Sequence, residues 1–71
     1  MNEQAAQNIL EKVSKTCNIS KQNLNLNTQS KRTCEIHIEK TLQETEWLCI
    51  EEIISNYNLR LKLADNKIII Y

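Results

Sequence analysis

The run Leu59-Arg60-Leu61-Lys62-Leu63-Ala64, followed by Asp65-Asn66 and then Lys67-Ile68-Ile69-Ile70-Tyr71, decides the fold. Its leucines alternate with Arg60 and Lys62, the period of two expected of a strand with one buried face. Asp65-Asn66 suits a two-residue hairpin turn, though less well than Asn-Gly. Such a turn sets Leu63 opposite Ile68 and Leu61 opposite Ile70, so one face of the hairpin is wholly aliphatic. Arg60, Lys62, Lys67, Ile69 and Tyr71 fall on the other face, where Ile69 and Tyr71 are expected to be at least partly exposed. The aliphatic face must be covered by something, and the upstream sequence supplies it.

Just before the hairpin, Leu42, Trp47, Ile50, Ile53, Ile54 and Tyr57 share one broad side of a helical wheel. Thr41 to Glu44 has capping-box spacing, Glu44 and Glu46 suit the positive end of the helix dipole, and Leu48 falls off the apolar stripe. The helix is expected to stop at Asn56 or Asn58, with Asn in the left-handed position that Gly usually takes. Further upstream, Leu24 and Leu26 alternate with asparagines. Cys34, Ile36 and Ile38 then alternate with Glu35, His37 and Glu39. These two runs predict a first hairpin turning at Gln29-Ser30-Lys31, with Leu26 opposite Cys34 and Leu24 opposite Ile36. That register needs an odd loop of three or five residues, because a slip by one would turn the leucines to the wrong face. At the start, Ala5, Ala6, Ile9, Leu10, Val13 and Cys17 recur at helical spacing behind Asn2, a suitable cap. The expected fold is therefore α+β: one domain over residues 1–71, a two-layer sandwich in αββαββ order, with an antiparallel four-stranded sheet and two helices on one face.

With 71 residues the chain is small, and it has neither Gly nor Pro, where average usage predicts about five and three or four. Phosphate cradles, dinucleotide fingerprints and nucleophile elbows need Gly where the backbone meets a ligand or takes positive φ, so their usual forms are excluded. Nine basic residues balance nine acidic ones, so no long-range field draws the chain to a polyanion. No apolar stretch reaches the roughly 18 residues that would span a bilayer, and none near Met1 has signal-peptide length. The N-terminal composition leads to the expectation of a mature intracellular chain, and three cysteines without a CxxC pair to that of reduced thiols in a reducing compartment, the cytoplasm. Heavy use of Asn and Ile is typical of AT-rich genomes, such as those of low-GC bacteria, viruses or mobile elements.

Cys17, Cys34, His37 and Cys49 are the only clustered metal-type ligands, but strand positions 34 and 37 point to opposite faces and cannot share an ion. The expectation is no metal and no cofactor, with Cys17 and Cys34 as small core residues and Cys49 at the edge of the second helix. Glu35 and Glu39 flank His37, which would suit a weak pH sensor, but a solvated polar strand face is much the stronger expectation for the same residues. Nothing places these carboxylates, or Glu51 and Glu52, in a dry pocket where acid–base chemistry would be tuned, so no enzyme is expected. The stretch from Cys34 to Tyr71 resembles in outline the strand–helix–hairpin of small periplasmic domains of secretins and TonB-dependent transporters. The resemblance lies in its apolar positions alone and assigns no residue a role. The outer sheet face is the candidate site. Arg60, Lys62, Lys67, Ile69 and Tyr71 beside Glu35, His37 and Glu39 suit contact with another protein or a second copy of this chain. The expected function is a non-enzymatic protein-binding module. The alternative is a nucleic-acid-binding regulator that stacks bases on Tyr71 and tracks phosphates with Arg60, Lys62 and Lys67. The blandest reading is that these charges pair with one another across the sheet.

Overall fold

Asn2 starts the first helix by accepting the Ala5 N–H on its side-chain Oδ1 at 2.7 Å, and α1 (Glu3–Cys17) follows with Ala6, Ile9, Val13 and Cys17 buried. Asn18 ends it in the left-handed region at φ 55°, where a residue without a branched side chain is tolerated. The computed structural model describes residues 1–28, 34–64 and 67–71; the expected turns at Gln29-Ser30-Lys31 and Asp65-Asn66 lie outside them. A 3-10 turn at Lys21–Asn23 leads into β1 (Leu24–Thr28), and β2 (Cys34–Ile38), α2 (Glu44–Asn56), β3 (Leu61–Ala64) and β4 (Lys67–Ile70) complete the αββαββ order.

The four strands form one antiparallel sheet in the order β1-β2-β4-β3. Ile36, Ile38 and Ile70 at its centre have no exposed surface, and they share one core cluster with Ala6, Ile9 and Val13 of α1 and Ile50 and Ile53 of α2. Both helices therefore cover the same face. The second hairpin has the predicted register, with Leu61 opposite Ile70 and Leu63 opposite Ile68.

The first hairpin keeps the predicted parity but is shifted by two residues: Leu26 faces Ile36, Leu24 faces Ile38, and Thr28 faces Cys34. The reason lies at the other end of the ladder. The expected register would have set Ile38 opposite Gln22, whose backbone is committed to the 3-10 turn. The observed one gives Ile38 a leucine and lets the Glu39 N–H donate to the Asn23 carbonyl at 2.8 Å.

The second helix begins two residues later than Thr41 would allow. Gln43 is its cap, and the Gln43 N–H donates to Glu46 Oε1 at 2.8 Å while Lys40 Nζ holds Glu46 Oε2 at 2.7 Å. Thr41–Glu44 and Gln43–Glu46 have the same spacing, and the ion pair to Lys40 goes with the later one. At the other end Asn58 takes φ 54°, one of the two expected stops, and the Leu59 N–H returns to the Ile54 carbonyl. Tyr57, expected on the apolar side, caps the helix end and is exposed at the rim of a cavity it shares with Met1, Ala5, Ile9 and Leu59.

The cysteines differ most from expectation. Cys17 and Cys49 are joined in a disulfide between α1 and α2, with Cα atoms 5.7 Å apart, and Cys34 alone is a free, buried thiol. Spacing along the chain gave no sign of this, because 32 residues separate the pair and only the packing of the two helices brings them together. Closing a loop of that length is worth about 3–4 kcal/mol through lost unfolded-state entropy, a large share of the stability of a small domain. The Cys17→Ser, Cys49→Ser variant, or the wild type under reductant, should therefore unfold at clearly lower denaturant concentration. Identical midpoints with and without reductant would show that the bond does not contribute.

Candidate functional site

Because β4 lies between β2 and β3, the outer face is organised in rows that cross the whole sheet. One row runs Asn25, His37, Ile69, Lys62, each residue directly opposite the next. A neighbouring row carries Asn27 and Glu35, and Arg60 and Tyr71 pair beyond the ends of β3 and β4 through reciprocal backbone hydrogen bonds of 2.9 and 3.0 Å. All eight sequence-predicted residues, Glu35, His37, Glu39, Arg60, Lys62, Lys67, Ile69 and Tyr71, thus lie on or beside the sheet face opposite the two helices.

Their chemistry is mostly mutual. His37 Nε2 lies 3.1 Å from Glu35 Oε1, with the Asn27 amide 3.4 Å from the same ring nitrogen. Lys62 reaches over β4 to within 4.0 Å of Glu35 Oε2, and on the way its ammonium stands 5.4 Å from the centre of the Tyr71 ring. Lys67 Nζ is 3.6 Å from Glu39 Oε1. Lys62 and Lys67 thus pair across the sheet in the way the blandest reading expected. Glu35 and His37 have side chains only 14% and 13% exposed, whereas Lys62 is 52% exposed.

Two residues depart from the sequence reading. Ile69, expected to be partly exposed, is only 7% exposed. Its flanking positions on the row are His37 and Lys62, and a central strand with larger neighbours on both sides has its outward side chain covered. Leu63, expected to lie beneath the helices, is 69% exposed. It belongs to an edge strand at the end where α2 begins, and the gap between them is a groove of about 270 Å³ lined by Lys40, Thr41, Leu42, Trp47, Leu63, Lys67 and Ile68. Sequence reasoning missed this groove. Its only early signal was the position of Leu63 next to a turn, at the end of a hairpin whose place in the sheet was unknown. Leu48, expected off the stripe, is exposed, and Tyr71 is 39% exposed.

The residues weighed as metal ligands or a thiol–imidazole pair are divided by the fold. Cys17 and Cys49 are bonded to each other, Cys34 points into the core, and His37 is on the opposite face. No helix among the described residues is long and apolar enough to cross a membrane. No known protein family, curated protein or solved structure matches the chain.

Two measurements check this geometry. Ile69→Ala should cost about 2–4 kcal/mol in equilibrium unfolding, as for a buried isoleucine, whereas an exposed site would change stability by less than about 0.5. The second concerns Glu46 beside the groove, whose carboxyl is held below its ordinary value of 4.5, first by the Gln43 backbone N–H and then by Lys40. A lowered folded-state value means that the stabilisation is complete above the ordinary glutamate range and is lost as pH falls through the lowered one. Wild type should therefore lose stability below pH 4.5 more steeply than Glu46→Gln, and parallel curves would show that the carboxylate does not stabilise the helix start.

Proposed function

We propose that this protein is a non-enzymatic binding module, an adaptor, regulator or inhibitor, that engages another protein or a second copy of itself through the basic side of its sheet. The observation that carries the reading is the grouping of an exposed Tyr71 with Arg60 and Lys62 on the sheet face opposite the helices, next to the edge strand β3. Tyrosine and arginine supply large contact area with polar ends, and acidic Glu35 and Glu39 beside them fix the orientation of a partner.

The alternative, a nucleic-acid binder, draws on the same residues but finds less to use. Lys62 lies over the Tyr71 ring and near Glu35, and Lys67 is near Glu39, so stacking surface and cations are already engaged. The cytoplasmic setting expected from the cysteine count would keep Cys17 and Cys49 reduced, whereas the bonded form suits an oxidising compartment.

Light scattering and co-purification from the native host should yield a defined partner or a dimer that is lost in the Lys62→Glu, Tyr71→Ala variant. A strictly monomeric protein without a protein partner would sink the reading. A single-stranded oligonucleotide retained at low salt, and released by salt or by Lys62→Glu, would move it to nucleic acid.

A further inference from the structure

The open edge of β3 presents a specific pattern. Arg60 and Tyr71 exchange both backbone hydrogen bonds, so in the alternation of an antiparallel ladder the even positions of β3 bond to β4, and Leu61 and Leu63 turn their N–H and C=O groups outward. β3 is the last strand of the sheet, so among the described residues no strand lies beyond it. On the helix side of this edge the exposed Leu63 borders the groove, with Trp47, Leu42 and Ile68 as its apolar wall. On the outer side stand Arg60 and Lys62, whose half-exposed side chain has to turn from Tyr71 and Glu35 to reach the edge, and Leu59 to Ala64 contains no acidic residue.

We propose, resting on the protein-binding reading, that β3 receives an extended segment of an acidic partner protein as a fifth strand. Its backbone bonds to Leu61 and Leu63, its carboxylates sit at alternate positions opposite Arg60 and Lys62, and its apolar side chains lie over Leu61 and Leu63. One of these enters the groove against Trp47. Strand addition of this kind draws affinity from main-chain hydrogen bonds and specificity from alternate side chains. Charge decides between this occupant and a second copy. Antiparallel self-pairing centred on Lys62 sets lysine opposite lysine, and centring on Leu61 sets Arg60 opposite Lys62. Centring on Leu63 engages only that residue's edge groups within the bounds of the strand. An edge cation thus keeps copies apart and attracts carboxylates with the same charge.

Trp47 is the only tryptophan, so its fluorescence reads the groove directly. The probes are two capped synthetic peptides, one alternating leucine with glutamate and one alternating leucine with lysine, titrated into the full chain. The leucine–glutamate peptide should shift Trp47 emission and bind roughly tenfold tighter than the other, since two cross-strand charge pairs are reversed between them. The Arg60→Glu, Lys62→Glu variant, its fold checked by circular dichroism, should invert that preference, and Leu63→Asp should abolish the shift. Equal binding of the two peptides by wild type, or no binding at millimolar concentration, would overturn the proposal. So would a stable dimer that Leu63→Asp dissolves, which would give the edge to a second copy. If the peptides fail while a co-purified partner still distinguishes wild type from the Lys62→Glu, Tyr71→Ala variant, the edge assignment falls and the protein-binding reading stands.

Discussion

The pairing of β2 with β4 is the constraint on which everything else depends. It joins two hairpins that are each local in sequence into one sheet, setting Ile36 beside Ile70 and Ile38 beside Ile68. Those four side chains form the floor on which both helices rest. An isolated two-stranded hairpin is marginal in water, so neither ribbon is expected to hold its register without this seam.

The same seam arranges the outer face. With β4 inside the sheet, Glu35 on β2 and Lys62 on β3 are held apart, and Lys62 has to cross a full strand to reach Glu35. Ile69 is covered because it has neighbours on both sides, and Leu63 is exposed because its strand has only one. The disulfide acts in the other layer, holding α2 to α1 over this floor, while the start of α2 leaves the groove beside Leu63.

A chain without glycine shows how its turns are managed. Asn18 and Asn58 take the two left-handed positions that end the helices, at φ 55° and 54°. Asparagine tolerates this region better than other side chains because its short amide bonds locally. The polar residues otherwise satisfy each other: no buried side-chain nitrogen or oxygen among the described residues lacks a partner.

Element type and order were legible in the sequence because they follow from local periodicity: helical spacing before Cys17 and after Thr41, alternation at Cys34–Ile38 and Leu59–Tyr71. The second hairpin's register was legible too, since a two-residue turn leaves one choice. Parity of the first hairpin was fixed by which side chains must be buried, but parity alone allows shifts of two, and a contact outside the hairpin, at Asn23 and Glu39, selected among them. Strand order, the Cys17–Cys49 bond, the burial of Ile69 and the groove at Trp47 and Leu63 were decided only by tertiary structure. Each depends on which distant segments become neighbours, and periodicity records how a side chain faces its own element without saying what stands opposite it.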